Sequence, residues 1–205
     1  SGQELGTHTL SHYFCLDQPT NIASFSADLR TALDVAREKH GIETSSLVFP
    51  RNQYSAAHVA AARACGVRQI RGNQPGFMYA PRADRAQNLL VRGLRMLDAH
   101  LPLQPWGPYK WPHSVAGVVD VRASRSLRPF DGSTTRTRLR LRRIQNEIRA
   151  AAKARRVYHL WWHPHNFGVD LPENLRLLHE ILETFQEASA KFGMRSRSMG
   201  DFADA

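Results

Sequence analysis

Residues 47–70 read LVFPRNQYSAAHVAAARACGVRQI. The apolar run Leu47-Val48-Phe49 predicts a short buried strand. Ser55 is a favourable N-cap residue for the alanine-rich helix that follows, and Gly66 is a common type of helix terminator. Residues 67–70 are apolar enough to form a second strand. The stretch therefore predicts a strand, a helix and another strand in succession, the unit from which parallel sheets are built.

The rest of the chain continues this alternation. Apolar spacing predicts a helix over residues 22–40, between Asn21 and a stop at Gly41. It predicts further helices over residues 82–99, 136–156 and 172–192, the last with Leu175, Leu178, Ile181, Leu182 and Phe185 facing inward. Strands are predicted over residues 115–121, 157–162 and 194–199. The pattern predicts an α/β fold, either an open doubly wound sheet or a closed or distorted β/α barrel. No Gly-x-Gly-x-x-Gly or Gly-Lys-Ser/Thr loop follows a strand, which weakens a nucleotide-binding open sheet.

Length and composition narrow the class of protein. A chain of 205 residues is typical of one domain, so residues 1–205 are predicted to form a single domain. No apolar run approaches the roughly 20 residues of a membrane-spanning helix. Cys15 and Cys65 are too few for a disulfide framework, which favours a cytoplasmic location. The chain does not open with Met, and we expect further sequence, including any targeting signal, upstream of residue 1.

The net charge of +10 is concentrated in one segment. Arginines and lysines dominate residues 122–156, where Asp131 and Glu147 are the only acids. A solvated helix face is the simpler interpretation of such a run. The alternative is a non-catalytic protein that binds an anionic polymer through the basic helix 136–156.

Two short segments are rich in histidine. In His8-Thr9-Leu10-Ser11-His12 the imidazoles are four residues apart, so one helical turn at a strand end would bring them to one face and let them share a metal ion. A catalytic zinc site generally has three protein ligands, so a third must come from elsewhere. His163-Pro164-His165-Asn166 follows the predicted strand Leu160-Trp161-Trp162, where a histidine could act as general acid or base.

Two further segments lie beside predicted strands. Arg51-Asn52-Gln53-Tyr54 follows the strand at 47–49, where an arginine can orient a carboxylate and backbone N–H groups can bind an oxyanion. The proline-rich segment 102–113 predicts a long ordered loop. Its Trp106 and Trp111 could stack on sugar rings or simply pack over the rim of the fold.

These segments together resemble the polysaccharide deacetylases, metal-dependent carbohydrate esterases with a distorted β/α barrel. The family motif His-Ser/Thr-x-x-His within Gly-x-Glu-Ile/Leu-Gly matches residues 2–12, GQELGTHTLSH. The Arg-Pro-Pro-Tyr motif corresponds to Arg51-Asn52-Gln53-Tyr54, without its prolines, and Leu-x-x-His corresponds to Leu160-Trp161-Trp162-His163. The motifs occur in family order between residue 2 and about residue 165.

The resemblance implies a role for each matched residue. His8 and His12 would bind a divalent metal, with zinc as the expected ion, for removal of acetyl groups from an N- or O-acetylated glycan. Arg51 would hold a carboxylate base, the Tyr54 backbone N–H would bind the oxyanion, and His163 would protonate the leaving group. His165, Asn166, Trp106 and Trp111 would contact the substrate. Neither nucleic acid nor a membrane is an expected partner, and the sequence does not determine an oligomeric state.

The family's first motif, an Asp-Asp pair that supplies the base and the third metal ligand, is not found in the 205 residues. The resemblance therefore implies a barrel without its first strand and helix, weak metal binding and no activity for these residues alone. Asp120 is a candidate for the acid that supports His163. A second metallohydrolase class, the amidohydrolase type, would instead use His163 and His165 as metal ligands together with His8 and His12.

Overall fold

A computed structural model describes residues 3–17, 21–83, 89–98 and 108–203. The contacts between residues divide the chain into two compact units. The first comprises Ser1–Arg92, Pro112–Arg122 and Arg197–Ala205, and the second Gly93–Trp111 and Ala123–Ser196. Trp106, half of the proline-rich loop and parts of the predicted helix 82–99 lie outside the described residues. Helix α3 is described over Leu89–Asp98.

The first unit is a small mixed sheet with two helices against it. Its elements are α1 (Ile22–His40), β1 (Ser46–Leu47), α2 (Ala56–Ala64), β2 (Gln69–Ile70), β3 (His113–Val115) and β4 (Val118–Asp120). The strand order is β1-β2-β4-β3, with β1, β2 and β4 parallel. Thr7 extends the sheet through a parallel bridge to Leu47. The predicted strand–helix–strand unit of residues 47–70 is therefore confirmed, with shorter strands.

Helix α1 begins and ends where the sequence predicts. The Asn21 side chain accepts hydrogen bonds from the N–H groups of Ala23 and Ser24, which would otherwise be unsatisfied at the helix start. Gly41 ends the helix in the left-handed conformation, φ 65°. The helix contributes Phe25 and Leu29 to a core that also contains residues of β1, α2 and β2.

The single strand predicted over residues 115–121 is wrong. Residues 113–120 form a hairpin in which β3 and β4 are antiparallel, with His113 opposite Asp120. Ala116 and Gly117 make the turn with φ values of 49° and 76°. Two positive φ angles are the geometry of the tight turns that match strand twist, so two residues are enough to reverse the chain.

The second unit contains two parallel strands and two packed helices. Strands β5 (Arg125–Ser126) and β6 (Leu160–Trp161) pair in register Arg125 to Leu160. The helices α4 (Thr134–Lys153) and α5 (Leu171–Phe192) pack against each other. Helix α4 buries the stripe of Leu141, Ile144, Ile148 and Ala151.

The inward face of α5 is only partly as predicted. Ile181 is buried, but Leu175 and Leu182 are about half exposed, and the buried stripe is Asn174, Leu177, Ile181, Thr184 and Ala188. Asn174 explains the difference. Its Oδ1 accepts from the Phe130 N–H at 2.7 Å, and its Nδ2 donates to the Asp170 carbonyl at 3.0 Å. A buried polar side chain whose hydrogen bonds are all made within the protein is stable in the interior. Because Asn174 occupies the buried face of α5, the adjacent Leu175 lies on the exposed side.

The strand predicted over residues 194–199 is also wrong. Residues 193–198 have no regular structure, and a 3-10 helix follows at Gly200–Phe202. The Gly200 N–H donates to the Glu4 carboxylate at 2.9 Å, a contact within the first unit. Hydrogen bonds from backbone N–H groups to side-chain carboxylates replace the bonds to a neighbouring strand that a β-strand would need.

The α/β class is confirmed, and within the described parts of the chain the strands form two small sheets with no closed barrel. The distorted barrel therefore stays a prediction. No helix in those same parts combines the length and the apolar character that a membrane span requires.

A buried ionic network lies between β5 and α4 in the second unit. Arg125 donates two hydrogen bonds of 2.6 Å to the Glu147 carboxylate, which also accepts from Tyr158 Oη at 2.8 Å and Arg143 Nε at 3.1 Å. Burial lowers the pKa of Arg125, but Glu147 outweighs it and the net shift is upward. Burial, and then Glu147, raise the pKa of Tyr158. Glu147 is thus the shared counter-charge of two buried arginines.

We expect Glu147→Ala to destabilise the protein by about 3–5 kcal/mol, because it removes the carboxylate that pairs with the buried Arg125 guanidinium, whereas Arg143 keeps its ion pair with Asp98. The matched control is Glu187→Ala, which removes an exposed ion pair with Arg149 and should cost at most about 1 kcal/mol. Urea unfolding measures both free energies. Equal losses in the two variants would contradict a stabilising role for the network.

A buried histidine makes the first unit sensitive to acid. His58 on α2 is fully buried, its Nδ1 lies 2.8 Å from Ser55 Oγ, and its ring packs edge-on against Phe25. Its Nε2 has no hydrogen-bond partner among the described residues. Burial lowers the pKa of His58 below its ordinary value of 6.5. The folded state therefore resists a proton that the unfolded state accepts.

Stability should accordingly fall as the pH drops through about 6.5, where the unfolded chain begins to take up this proton. We expect His58→Gln to have a smaller loss of unfolding free energy between pH 7.5 and 5.5 than the wild type, as measured by urea unfolding. His40→Gln, at the exposed end of α1, is the control and should retain the wild-type slope. An unchanged slope in His58→Gln would argue against this origin.

Candidate functional site

His8 and His12 meet in the first unit, but not on a helical turn. Thr7 bridges to β1, His8 follows immediately, and residues 8–14 contain no helix. Thr9 and His12 have φ angles of 62° and 56°, which lie in the left-handed region. The prediction of a helical turn is therefore wrong, although the two imidazole rings do come together, with centroids 4.8 Å apart.

Helix α1 stabilises this turn. The Asp28 carboxylate accepts hydrogen bonds from the backbone N–H groups of Leu10 at 2.9 Å and Ser11 at 3.1 Å. Thr9 Oγ1 accepts from the Tyr13 N–H at 2.8 Å. These contacts satisfy backbone donors that a helix would have paired internally, so the irregular turn depends on Asp28.

A backbone carbonyl fixes the orientation of the His8 imidazole. His8 Nδ1 lies 2.6 Å from the Val48 carbonyl oxygen, which can only accept, so Nδ1 donates this hydrogen bond. A backbone carbonyl commonly orients a metal-binding histidine in this way. Both side chains are exposed. Within the described residues no group of three His, Cys, Asp or Glu is placed to hold a metal ion, so metal binding by His8 and His12 stays a prediction.

Arg51 and His12 contact the same aromatic ring, Phe14. It belongs to the 3-10 turn Pro50–Asn52 that follows β1, with φ 52° and ψ 16°. Its Cζ stands 4.2 Å above the Phe14 ring, whose centroid is 5.1 Å from that of His12. The described residues include six non-glycine residues with positive φ. Four of them lie in the His8–His12 turn and the Pro50–Asn52 turn: Thr9, His12, Arg51 and Asn52. Such backbone strain concentrates at functional sites.

Tyr54 lies behind this turn. Its ring stacks on Phe49 with centroids 4.8 Å apart, and its hydroxyl accepts from the Asn73 N–H at 3.3 Å. Burial raises the pKa of Tyr54, so the phenol is neutral. The role predicted for Tyr54 uses its backbone N–H, and the side-chain contacts fix the position of that backbone.

A cluster at the end of β4 was mostly missed in the sequence. Asp120 is buried, and its Oδ2 lies 3.5 Å from His113 Nε2 and 3.4 Å from Arg122 Nε. Burial raises the pKa of Asp120, against the opposing effects of His113, Arg122 and the Gly72 amide. The sequence singled out Asp120 alone, as a support for His163. Pairing with His113 requires the β3–β4 hairpin register, which no local motif reveals.

The other histidine segment belongs to the second unit. His163 follows β6 and precedes the 3-10 helix Pro164–Asp170, and the His163 and His165 rings stack with centroids 5.2 Å apart. Trp161 packs edge-on against His163 at 5.3 Å. The Asn166 N–H donates to the His163 carbonyl at 3.0 Å. Both histidines are exposed, as is Trp111 of the same unit, and Trp106 lies outside the described residues.

The basic helix α4 is partly neutralised within its own unit. Arg136 and Arg140 pair with Asp131, Arg143 with Glu147, and Arg149 with Glu187. Part of the positive charge therefore stabilises the helix and its packing. Binding of an anionic polymer through residues 136–156 stays a prediction.

A cavity of about 430 Å³ lies in the first unit, lined by residues that include Glu4, Glu43 and Gln69. Ser45 and Arg68, also in its lining, precede β1 and β2, so it faces the amino-terminal ends of the parallel strands. The histidine pair and Arg51 follow the carboxyl-terminal ends. The cavity is therefore separate from the candidate site.

No protein-family model matches the chain, and no curated protein matches it either. Assignment of a function consequently rests on the motifs and on the geometry of each unit.

We expect the full-length protein to bind one zinc ion, and His12→Ala to weaken binding strongly by removing a ligand. Asp28→Ala should lower the affinity roughly 10- to 100-fold, the usual effect of losing a group that orients ligands. Alanine suits the helix, so α1 should persist. Titration calorimetry with a competing chelator measures the affinities, and His40→Ala is the control. Wild-type affinity in Asp28→Ala would refute its orienting role.

Proposed function

We propose that the protein is a metal-dependent hydrolase that removes acetyl groups from an N- or O-acetylated glycan, with a fold of the polysaccharide deacetylase type. The observation that carries the proposal is the His8–His12 pair. One ring is oriented by the Val48 carbonyl, the connecting turn is held by Asp28, and Arg51 lies over Phe14, the ring that also contacts His12. A simple surface turn would need neither the oriented tautomer nor the strained backbone.

The order of the strands supports the barrel. In the first unit Thr7, β1, β2 and β4 are successive parallel neighbours, with the antiparallel β3 at the edge beyond β4, and β5 and β6 in the second unit are also parallel. Successive parallel neighbours are what a β/α barrel requires, and its active site lies at the carboxyl-terminal ends of its strands. The segments of His8, Arg51 and His163 each follow such an end.

Each candidate site residue would have a separate role in the hydrolysis of the acetyl group. His8 and His12 would hold the divalent ion, which when bound supplies Lewis-acid polarisation of the acetyl carbonyl. Arg51 would fix a carboxylate base through paired hydrogen bonds. The Tyr54 N–H would stabilise the developing oxyanion, and His163 would donate a proton to the departing amine or alcohol. His165, Asn166, Trp111 and Trp106 would contact the sugar.

Acetate release tests the proposal. We expect full-length protein supplied with zinc to release acetate from N-acetylated oligosaccharides, and His12→Ala to abolish the activity. His163→Ala should lower kcat roughly 100- to 10,000-fold, the usual contribution of a general acid. The control is His179→Ala, which removes an exposed histidine of α5. Full activity in His12→Ala, or none in the wild type across N- and O-acetylated glycans, would exclude the proposed function.

One observation favours a second metallohydrolase class. The stacked His163 and His165 rings could together provide a His-x-His ligand pair of the amidohydrolase type. Anomalous scattering from a zinc-loaded crystal separates the two classes, because only the second has metal bonded to both of these histidines.

A further inference from the structure

The turn that carries Arg51 depends on contacts from outside the turn. Arg51 and Asn52 are consecutive left-handed residues, with φ angles of 52° and 56°. Neither is glycine, and such conformations persist only where neighbouring groups hold them. Within the turn, the Gln53 N–H donates to the Pro50 carbonyl at 3.1 Å. The remaining support must come from other parts of the first unit.

That support comes from the residues that follow β2. Arg71 Nη2 donates to Asn52 Oδ1 at 3.0 Å, and Asn73 Nδ2 donates to the Asn52 carbonyl oxygen at 3.0 Å. The Asn73 N–H also donates to the Tyr54 hydroxyl at 3.3 Å. Two side chains therefore bind the side chain and the backbone of Asn52 at once.

The residue between them fixes the path of this segment. A Cβ on Gly72 would lie 1.9 Å from Asp120 Oδ1, so the backbone passes directly against the buried carboxylate. Parallel pairing continues up to this point, since the Arg71 N–H donates to the Leu47 carbonyl at 3.1 Å. Arg71 and Asn73 thus project from a well-defined backbone at the end of the sheet.

The contacts continue to the histidine pair. Asn52 adjoins Arg51, the Arg51 guanidinium stands over Phe14, and the Phe14 ring contacts His12. A relaxed turn would move the guanidinium away from Phe14 and hence from the histidines. Neither Arg71 nor Asn73 forms part of a sequence motif that predicts this.

We propose that Arg71 and Asn73 are positioning residues, which hold the Arg51–Asn52 turn in its left-handed conformation and thereby place the Arg51 guanidinium beside the His8–His12 pair. The catalytic consequence rests on the proposed function, because the role of Arg51 comes from it. The structural consequence does not.

A double-mutant cycle tests the catalytic consequence in full-length, zinc-loaded protein. We expect Arg71→Met to lower kcat roughly 10- to 100-fold, the scale of a group misplaced by about 1 Å, with KM and zinc affinity near wild-type values. In an Arg51→Met background, Arg71→Met should have no further effect, because it acts through Arg51. Unchanged kcat in Arg71→Met, or full additivity with Arg51→Met, would overturn the proposal.

Arginine side-chain NMR tests the structural consequence without any activity. The Phe14 ring should shift the Arg51 Nε–H resonance upfield, because the guanidinium lies over the ring. The Phe14→Leu variant has no ring at this position, and its spectrum gives the chemical shift of the resonance without this effect. We expect Arg71→Met and Asn73→Ala to move the resonance toward that position. Arg68→Met is the matched control, an exposed arginine just before β2, and should leave the resonance unchanged.

The two readouts separate the two hypotheses. If the wild-type protein releases no acetate, the proposed function is refuted. If the Arg51 resonance nevertheless moves in Asn73→Ala, the positioning role is supported. A resonance that stays in place in the variants refutes the positioning role whatever the activity. If Arg71→Met does not fold, Asn73→Ala carries both measurements, because it removes the second donor to Asn52 and leaves Arg71 intact.

Discussion

The parallel ladder of the first unit is the constraint on which its candidate site depends. The Thr7 N–H donates to the Ser46 carbonyl, the Arg71 N–H to the Leu47 carbonyl and the Val121 N–H to the Ile70 carbonyl, at 2.8 to 3.1 Å. Because these strands run in the same direction, the residues that follow them emerge at one edge of the sheet. The histidine turn, the Arg51 turn and the Arg71 segment are neighbours for this reason, although they are far apart in the sequence.

The strained turns at that edge show how a fold stabilises unfavourable backbone. Each left-handed non-glycine residue costs about 1–3 kcal/mol. At the histidine turn the compensation comes from Asp28 on α1, and at the Arg51 turn from Arg71 and Asn73 after β2. In both cases the supporting group belongs to another element. The geometry of the candidate site is therefore coupled to the folding of the whole unit.

The second unit distributes its charge differently. Glu147, a single buried carboxylate, accepts hydrogen bonds from Arg125, Arg143 and Tyr158, so two of the many arginines contribute to the interior. Arg136 and Arg140 share Asp131 at the start of α4. A large net charge in the sequence thus need not mark a binding surface, because pairing depends on which acids the fold brings near.

Local sequence determined the helices, their ends and the α/β class, because Asn21 and Gly41 act on backbone groups within a few residues of themselves. It also determined the histidine and arginine segments from which a metal-dependent hydrolase is proposed. Tertiary structure alone decided the β3–β4 hairpin, the face that α5 buries, the irregular His8–His12 turn and the pairing of Asp120 with His113. Each of these depends on hydrogen bonds between residues distant in the sequence or on strand register, such as Asn174 with Phe130 and Asp28 with Leu10. Spacing along the chain carries no information about such partners, since only the folded chain brings them together.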